Sequence, residues 1–415
     1  MKILHVNSSD FRGGAAKAAY RLHRGLLNNG ISSEFLTQIK DTDDRTVFTS
    51  ANSLYDEVYN RVVSKSDIIL KKISSVRKGT PYSFNYLGHK NIKIFFANDN
   101  DIVHLHWINS NFISLYDLNY AKKIVWTLHD SWPFTGGCHI PYECNKYETK
   151  CSQCPILAKG HLSFLAEKTF QLKKKIYKNI PLSVVAPSRW LHDCAKKSLL
   201  FYDKDIYIIP NGIDTTIYRN VDKKIARKLL NLDNNKKYIL FGAVNSTTDA
   251  NKGYNILLEV IARLKSFVTN ELDEIEIIVF GGNEPENNSR FGYKTHYLGK
   301  IYDDVTLSLI YSASDVVLVP SKSENLPNIV MEAMSCATPV VAFSIGGIPD
   351  LIDSKENGFL AIPFDTNDFA KGIAYVLEDV DKMKKMSKKA REKIVNSFDI
   401  NIISRKYINL YKEKL

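Results

Sequence analysis

"SENLPNIVMEAM", residues 323–334, sets Glu324 and Glu332 eight positions apart across Pro327, directly after the apolar run "SDVVLVPS" at 314–321. The run reads as a buried strand. The stretch after it reads as a helix starting near Pro327, because the amide that proline lacks would have no partner in a first turn. Asn325 is placed to cap that turn. Glu324 then lies in the loop before the helix mouth, and Glu332 more than a turn inside. Unpaired amides at the start of the helix form an anion site between the two carboxylates. Such a grip suits a sugar carried on phosphate.

The bulk numbers describe a host for that grip. A chain of 415 residues corresponds to about two domains, and 44% apolar residues allow each its own core. No apolar run approaches the ~20 residues that span a bilayer. The start, "MKILHVNSSD", turns polar after one short strand, too soon for a secretory signal. The expectation is a cytoplasmic protein. The net charge of +11 is unevenly placed: residues 1–200 hold 28 Lys+Arg against 16 Asp+Glu, and residues 201–415 hold 28 against 29. The excess falls in runs such as "RVVSKSDIILKKISSVRK" (61–78) and "KTFQLKKKIYK" (168–178). These are either a solvated surface or an attraction to anionic phosphate. For the second reading an anionic membrane surface is favoured over nucleic acid, since no helix-turn-helix, zinc-finger or RNA-binding signature occurs.

Short β-branched runs alternate with helical patterns along nearly the whole chain. "KILHVN" is a strand, and a helix follows with Ala15, Ala18, Ala19, Leu22 and Leu26 on one face and Gly30 as its stop. "DIVHLHW", "KIVWTLHD" and "LSVVAPS" are further strands ending at polar turns. After residue 210 the alternation restarts with "YILFGAV", a helix over "YNILLEVIARLKSF", "IEIIVFGG", "SDVVLVPS", a helix at 327–335 and "PVVAFS". This order predicts an α/β fold of two doubly wound, Rossmann-like domains joined near "IIPNGIDTTIYRN". The expected boundaries are 1–212, 213–395 and a C-terminal amphipathic helix over 396–415. Ligands of such sheets bind at the carboxyl ends of the strands.

Several polar groups sit at such ends. Gly13 and Gly14 in "NSSDFRGGAAKAAYRL" let backbone approach a ligand at a helix start; a plain turn is the alternative, and the pattern is not the G-x-G-x-x-G dinucleotide fingerprint. Lys252 in "FGAVNSTTDANKGYNILLEVI" stands just before a helix, where it would neutralise a diphosphate as a point charge or be an ordinary loop lysine. His129, followed by Asp130, ends "IVWTLHD" and is placed to hydrogen-bond a sugar hydroxyl or stabilise charge. His104 and His106 alternate on one face of "DIVHLHW" and read as satisfied core or rim histidines.

Taken in order, Gly13-Gly14, "TLHD", "APSRW", "IPNGID", Lys252-Gly253, "SENLPNIVMEAMSCATPVV" and "GGIPDLI" resemble the retaining glycosyltransferases of the GT-B fold with a Glu-x7-Glu motif, the family 4-like group. The resemblance covers almost the whole chain. It implies two domains facing across a cleft, with the C-terminal helix returning to the first. It also implies a nucleotide diphosphate-sugar co-substrate held mainly by the second domain, and a glycan or lipid-linked acceptor on the first. By it Glu332 would take the ribose hydroxyls, and Glu324 the donor sugar. Amides near Asn325 and Leu326 would meet the diphosphate and sugar. Lys252 would stabilise the leaving phosphate, Gly14, with Gly13 beside it in the donor-binding set, would approach that phosphate from the opposite domain, and His129 would touch the transferred sugar. The family usually carries an arginine shortly before the lysine; here Val244, Asn245 and Ser246 stand in that region. The lack of a D-x-D metal pair near the motif favours a reaction needing no cation, and "DTDD" at 41–44 reads as a loop. No carboxylate is placed as a nucleophile, so retention by front-face attack is expected. A nucleotide-sugar epimerase of this fold and an inactive binding protein are the alternatives.

"GGCHIPYECNKYETKCSQCP" (136–155) holds Cys138, Cys144, Cys151 and Cys154, the last two at C-x2-C spacing. Four thiolates would close a structural zinc site; free thiols packed in a loop, or disulfides, are the other readings. Cys194 and Cys336 read as core thiols. The stretch also resembles a sub-branch of bacterial exopolysaccharide and capsule glycosyltransferases, in which peripheral association with the inner face of the membrane would fit.

Overall fold

The computed structural model describes residues 1–74, 76–77, 80–157, 162–242, 249–268, 274–282 and 291–415. The chain divides into two compact units, Met1–Gly212 with Ile403–Leu415, and Ile213–Ile402. The substituted arginine position, Val244–Ser246, lies outside the described residues.

The first unit is a seven-stranded parallel sheet of β1 (Lys2–Ser9), β2 (Ser32–Ile39), β3 (Val47–Thr49), β4 (Ile102–Leu105), β5 (Ile124–Thr127), β6 (Leu182–Ala186) and β7 (Ile206–Ile208). Their order across the sheet is β3-β2-β1-β4-β5-β6-β7. Strands run outward from β1 to one edge and from β4 to the other, so the switch point lies between β1 and β4. Its helices are α1 (Gly14–Asn28), α2 (Leu54–Ile73), α3 (Ile92–Ala97), α4 (Phe164–Tyr177) and α5 (Arg189–Lys197). α1 buries Ala18, Ala19, Leu22 and Leu26 and stops before Gly30, whose φ of 75° is one that glycine adopts freely.

The second unit repeats the plan in six parallel strands: β8 (Lys237–Gly242), β9 (Ile275–Phe280), β10 (Lys294–Tyr297), β11 (Val316–Val319), β12 (Val340–Phe343) and β13 (Gly358–Ala361). The order β10-β9-β8-β11-β12-β13 puts its switch point between β8 and β11. The helices are α6 (Lys223–Leu229), α7 (Tyr254–Leu264), α8 (Asp304–Ala313), α9 (Asn328–Ser335), α10 (Ile348–Leu351), α11 (Thr366–Leu377) and α12 (Val380–Ser397). Aspartate side chains at 303, 365 and 379 cap α8, α11 and α12. β11 and β12 are buried along their whole length, as a parallel strand covered on both faces must be.

The last helix, α13 (Ile400–Lys414), starts in the second unit and returns to the first. Ile403, Tyr407, Leu410 and Tyr411 pack there against Ile3, Leu26 and Ile102. The Tyr411 hydroxyl lies 2.6 Å from His104 Nδ1, and the Tyr407 hydroxyl 2.8 Å from Thr127 Oγ1, which itself meets His104 Nε2 at 2.8 Å. His104 is the in-register neighbour of His5 across β1 and β4. His23 on α1 bonds Ser33 and Thr46. The centre of this sheet is therefore lined by imidazoles rather than by aliphatic side chains alone.

Burial holds these rings neutral. It pushes the pKa values of His5, His104 and His106 well below 6.5, and those of His23, His89 and His129 down to about 4. Below pH 6.5 the unfolded chain takes up protons that the folded chain refuses. Stability is thus complete above pH 6.5 and falls as the pH drops towards 4, by up to about 1.4 kcal/mol per pH unit for each ring. Urea unfolding followed between pH 7.5 and 5 should show the midpoint falling steeply below 6.5; a flat profile would contradict buried, neutral histidines.

Candidate functional site

In the second unit the loops after β8 and β11 flank the switch point, and the chemistry predicted from the sequence meets there. Lys252 ends a short helical turn over Ala250–Lys252, and its Nζ lies 2.8 Å from Glu324 Oε1. One backbone and one side-chain bond lace the two loops together: Lys322 N donates to Asn251 O at 2.8 Å, and Asn251 Nδ2 to Ser323 O at 2.9 Å. A third loop joins from after β12, where Gly347 N donates to Glu324 O at 3.1 Å. Two glycines make this approach possible. A Cβ on Gly253 would stand 2.0 Å from Pro320 O, and one on Gly346 1.8 Å from Glu324 O, with φ at 75° and 52°. Burial works against the Lys252 ammonium, but the Glu324 carboxylate outweighs it and the lysine pKa is raised.

The helix behind this pair differs in detail from the sequence expectation. α9 begins at Asn328, one residue after Pro327, and Pro327 itself occupies the cap position in an extended conformation with no side-chain cap. Asn325 therefore does not hold the cap. Leu326 is buried in the core. Glu332, fifth in α9, is buried as well, and its Oε2 accepts from the Tyr311 hydroxyl at 2.9 Å. Glu324 and Lys252 are thus in contact, while Glu332 lies deeper against α8.

In the first unit Gly13 caps α1 with φ 93°, and Gly14 is the first residue of that helix. His129 lies two residues past β5, not at its end. Since β1, β4 and β5 are neighbours, Gly13, Gly14 and His129 sit on the same carboxyl edge of the sheet. His129 Nε2 meets His106 Nδ1 at 3.0 Å, and His106 Nε2 meets His5 Nδ1 at 3.0 Å. His5 Nε2 is buried without a partner among the described residues. A buried lone pair is less costly to leave unpaired than a buried N–H. The His5 proton therefore belongs on Nδ1, which puts the His106 proton on Nδ1 and leaves His129 Nε2 as an acceptor. His5, His104 and His106 also bring ligand-type nitrogens within 4.8 Å of one another.

Asp130 accepts from Trp107 Nε1 at 2.9 Å and from Trp132 N at 2.8 Å, and lies 2.6 Å from His139 Nδ1. Burial raises its pKa, but His139 and these donors together hold the carboxyl below the ordinary range. The four cysteines of the following loop are all unpaired and line one cavity with Tyr82 and Lys146. Among the described residues they do not form a group of three sulfurs within 4.8 Å. "DTDD" is a loop, with Asp41 bound to Arg12 at 2.6 Å and Asp44 to Arg24 at 3.0 Å.

Sequence reasoning missed Tyr311, Asn251 and the tie of Gly346 to Glu324. The first pairs across 21 residues, the second reaches with its side-chain amide to a carbonyl 72 residues on, and the third is a backbone approach, so none leaves a local pattern. The glycines give a direct test. Gly253→Ala and Gly346→Ala, each meeting a carbonyl oxygen, should lower stability by roughly 2–4 kcal/mol in urea unfolding. Gly13→Ala, with nothing within 4 Å of its Cβ, should lose only the roughly 1–3 kcal/mol of its positive-φ extended backbone, φ 93° and ψ 169°, with no clash added. Equal losses at all three would contradict the packed loops.

Comparison with known proteins agrees with this architecture. Residues 12–217 match the family model Glycosyltransferase Family 4, and residues 222–393 match Glycosyl transferases group 1. The chain is 25% identical over 365 residues to the putative colanic acid biosynthesis glycosyl transferase WcaC of Escherichia coli, covering 82% of this chain and 83% of that protein. Among solved structures it is similar to sucrose-phosphate synthase from Thermosynechococcus elongatus, with TM-score 0.66, 18% identity and coverage of 100% and 99%. HepE of Anabaena, solved with UDP and glucose, gives TM-score 0.66, 17% identity and 99% coverage of both chains. With two parallel-sheet Rossmann-like units and glycosyltransferase domains matched in each, the chain belongs to the glycosyltransferases of the GT-B fold.

Proposed function

We propose that the protein is a retaining glycosyltransferase. It would move a sugar from a nucleoside diphosphate-sugar to a glycan or lipid-linked acceptor, in the cytoplasm, during assembly of a cell-surface polysaccharide. The observation that carries this reading is the Lys252–Glu324 pair, 2.8 Å apart at the switch point of the second unit and next to the mouth of α9. Breaking a sugar–phosphate bond builds negative charge on the diphosphate. Lys252 and the amides before α9 would receive it, in a setting where fixed donors are worth more than in water. Glu324, held from three loops, would orient the sugar, and buried Glu332 would take the ribose from behind the helix. Gly13 and Gly14 would approach the phosphate and His129 the transferred sugar, as a neutral ring.

Two further points support the reading. Asp41 and Asp44 are already paired with arginines, which favours leaving-group neutralisation by the chain's own cation. HepE was solved with UDP and glucose, and WcaC is named for colanic acid biosynthesis, in keeping with a uridine-type donor and a polysaccharide product. Retention would follow from front-face attack, with the departing phosphate taking the acceptor's proton.

A thermal-shift panel of uridine, guanosine and adenosine diphosphates and their sugars tests the donor assignment. A ligand at 100 times its Kd adds about 2.7 kcal/mol, so one base should raise the midpoint clearly. Lys252→Ala should then lower kcat by about 10²–10³-fold. No response to any nucleotide would overturn the assignment.

The cysteine loop carries a structural reading of its own. Four unpaired thiols around one cavity are the donor type that zinc takes, and binding would have to draw their sulfurs in from the present spacing to within ligand distance of one ion. Burial pushes Cys138 well up and Cys151 to about 12, so without a cation these thiols are neutral. Burial also lowers the nearby Lys173 to about 7, with Cys151 and Cys138 acting the other way. A four-thiolate site with net negative charge would complement that ammonium. Protein purified without chelator should contain about one zinc per chain; less than half an equivalent would leave the cavity as packed thiols.

A further inference from the structure

α2 is built inside out. Toward the unit it buries Asn60, Val63 and Asp67. The inner face is held by polar bonds: Asn60 Oδ1 accepts from Lys90 N at 2.9 Å, Asp67 Oδ1 from Phe84 N at 3.3 Å, and Ser64 Oγ meets His89 Nε2 at 2.9 Å. Outward it presents Leu54, Tyr55, Val58, Val62, Ile69 and Ile73, each between 53% and 76% exposed. At 3.6 residues per turn these six form one stripe along the whole helix. Exposed Arg61, Lys65 and Lys72 fall in a row along the edge of that stripe, and Ile68 lies on the far side of the row. Lys90 adds a further cation, 5.8 Å from the Tyr55 ring.

We propose that α2 is a docking surface for an anionic lipid bilayer, with the helix lying in the plane of the interface. A water-facing helix normally turns its apolar side inward, and an apolar patch of this extent marks an interaction surface. The charge identifies the occupant. A stripe of aliphatic side chains bordered by lysine and arginine matches acyl chains beneath acidic headgroups. A second copy of the chain would offer the same cations and, on this face, a single exposed acid, Glu57. With 20 residues the helix is ~30 Å long, but its charges bar it from spanning. Among the described residues no helix is long and apolar enough to cross a membrane. The location also fits the excess positive charge of residues 1–200.

Flotation with vesicles of phosphatidylcholine alone, or with one third phosphatidylglycerol, tests the proposal on the full chain. Binding is expected to the anionic vesicles and to weaken with added salt. Lys65→Gln with Lys72→Gln should reduce it roughly thirtyfold, at about 1 kcal/mol for each cation. Val62→Ser with Ile69→Ser should reduce it by at least tenfold, since each exposed side chain buries several methylene equivalents on insertion. All four positions are exposed, so both variants should melt at the wild-type temperature and keep the nucleotide response. That response separates failure here from failure of the donor site. Absence of binding, or binding indifferent to both variants, overturns the proposal. So does concentration-dependent dimerisation in sedimentation that the Val62/Ile69 variant abolishes while vesicles remain unbound.

Discussion

A lysine and a glutamate hold each other at the mouth of the second sheet, with 27% of the Lys252 side chain and 12% of Glu324 left to solvent. Charges drawn that far from water lose hydration, and they persist only where partner and geometry are both fixed. Here the backbone fixes them. Gly253 presses on the carbonyl of Pro320, Gly346 on that of Glu324, and Asn251 ties its loop to Ser323. The ammonium stays protonated because the carboxylate outweighs burial. The loops thus present a cation whose orientation is already fixed at the switch point of the second sheet.

The two units share a winding rule and fill it differently. In the second, aliphatic and aromatic side chains such as Leu240, Val317 and Val330 build the core, and polar groups gather at the strand ends. In the first, the switch point itself is polar, with His5 facing His104 in register and their rings 4.8 Å apart. Each added imidazole costs desolvation, yet all stay neutral, and the run from His5 through His106 sets the orientation of His129 from two strands away. α13 closes the arrangement from below through Tyr407 and Tyr411. A helix that begins in one unit thus completes the core of the other.

Much of this was legible in the sequence because parallel strands, cap residues and turn glycines leave local marks. "SDVVLVPS" reads as a buried strand, and Glu324, Lys252 and Gly346 all stand in the loops that follow β11, β8 and β12. What escaped was long-range or directional. Nothing near Glu332 announces Tyr311, and nothing near His104 announces Tyr411, 307 residues away. The run at 61–78 was readable as basic, but periodicity says only that a helix has two faces. Which face turns inward was decided by Asn60 and Asp67 finding backbone partners in neighbouring loops.

The loop after β5 shows why burial of polar groups is concentrated in the first unit. Irregular backbone has no ladder to satisfy its carbonyls, and each one buried needs a donor from elsewhere. Residues 132–135 are fully enclosed, and side chains from two separate segments, α4 and the turn at Ser198, supply those donors. Lys173 reaches the carbonyls of Trp132 and Thr135, Tyr177 that of Pro133 at 3.0 Å, and Ser198 that of Phe134 at 2.8 Å. The Trp132 ring is pinned in turn by its Nε1 bond to Ser83 O and by the Lys173 ammonium 3.6 Å from its centre. A lysine held in such surroundings loses much of its basicity, down to about 7, because desolvation outweighs its neighbours. That cost makes sense if the segment from Asp130 to the cysteines has to keep one shape. A loop next to His129 that was free to rearrange would require far fewer buried donors.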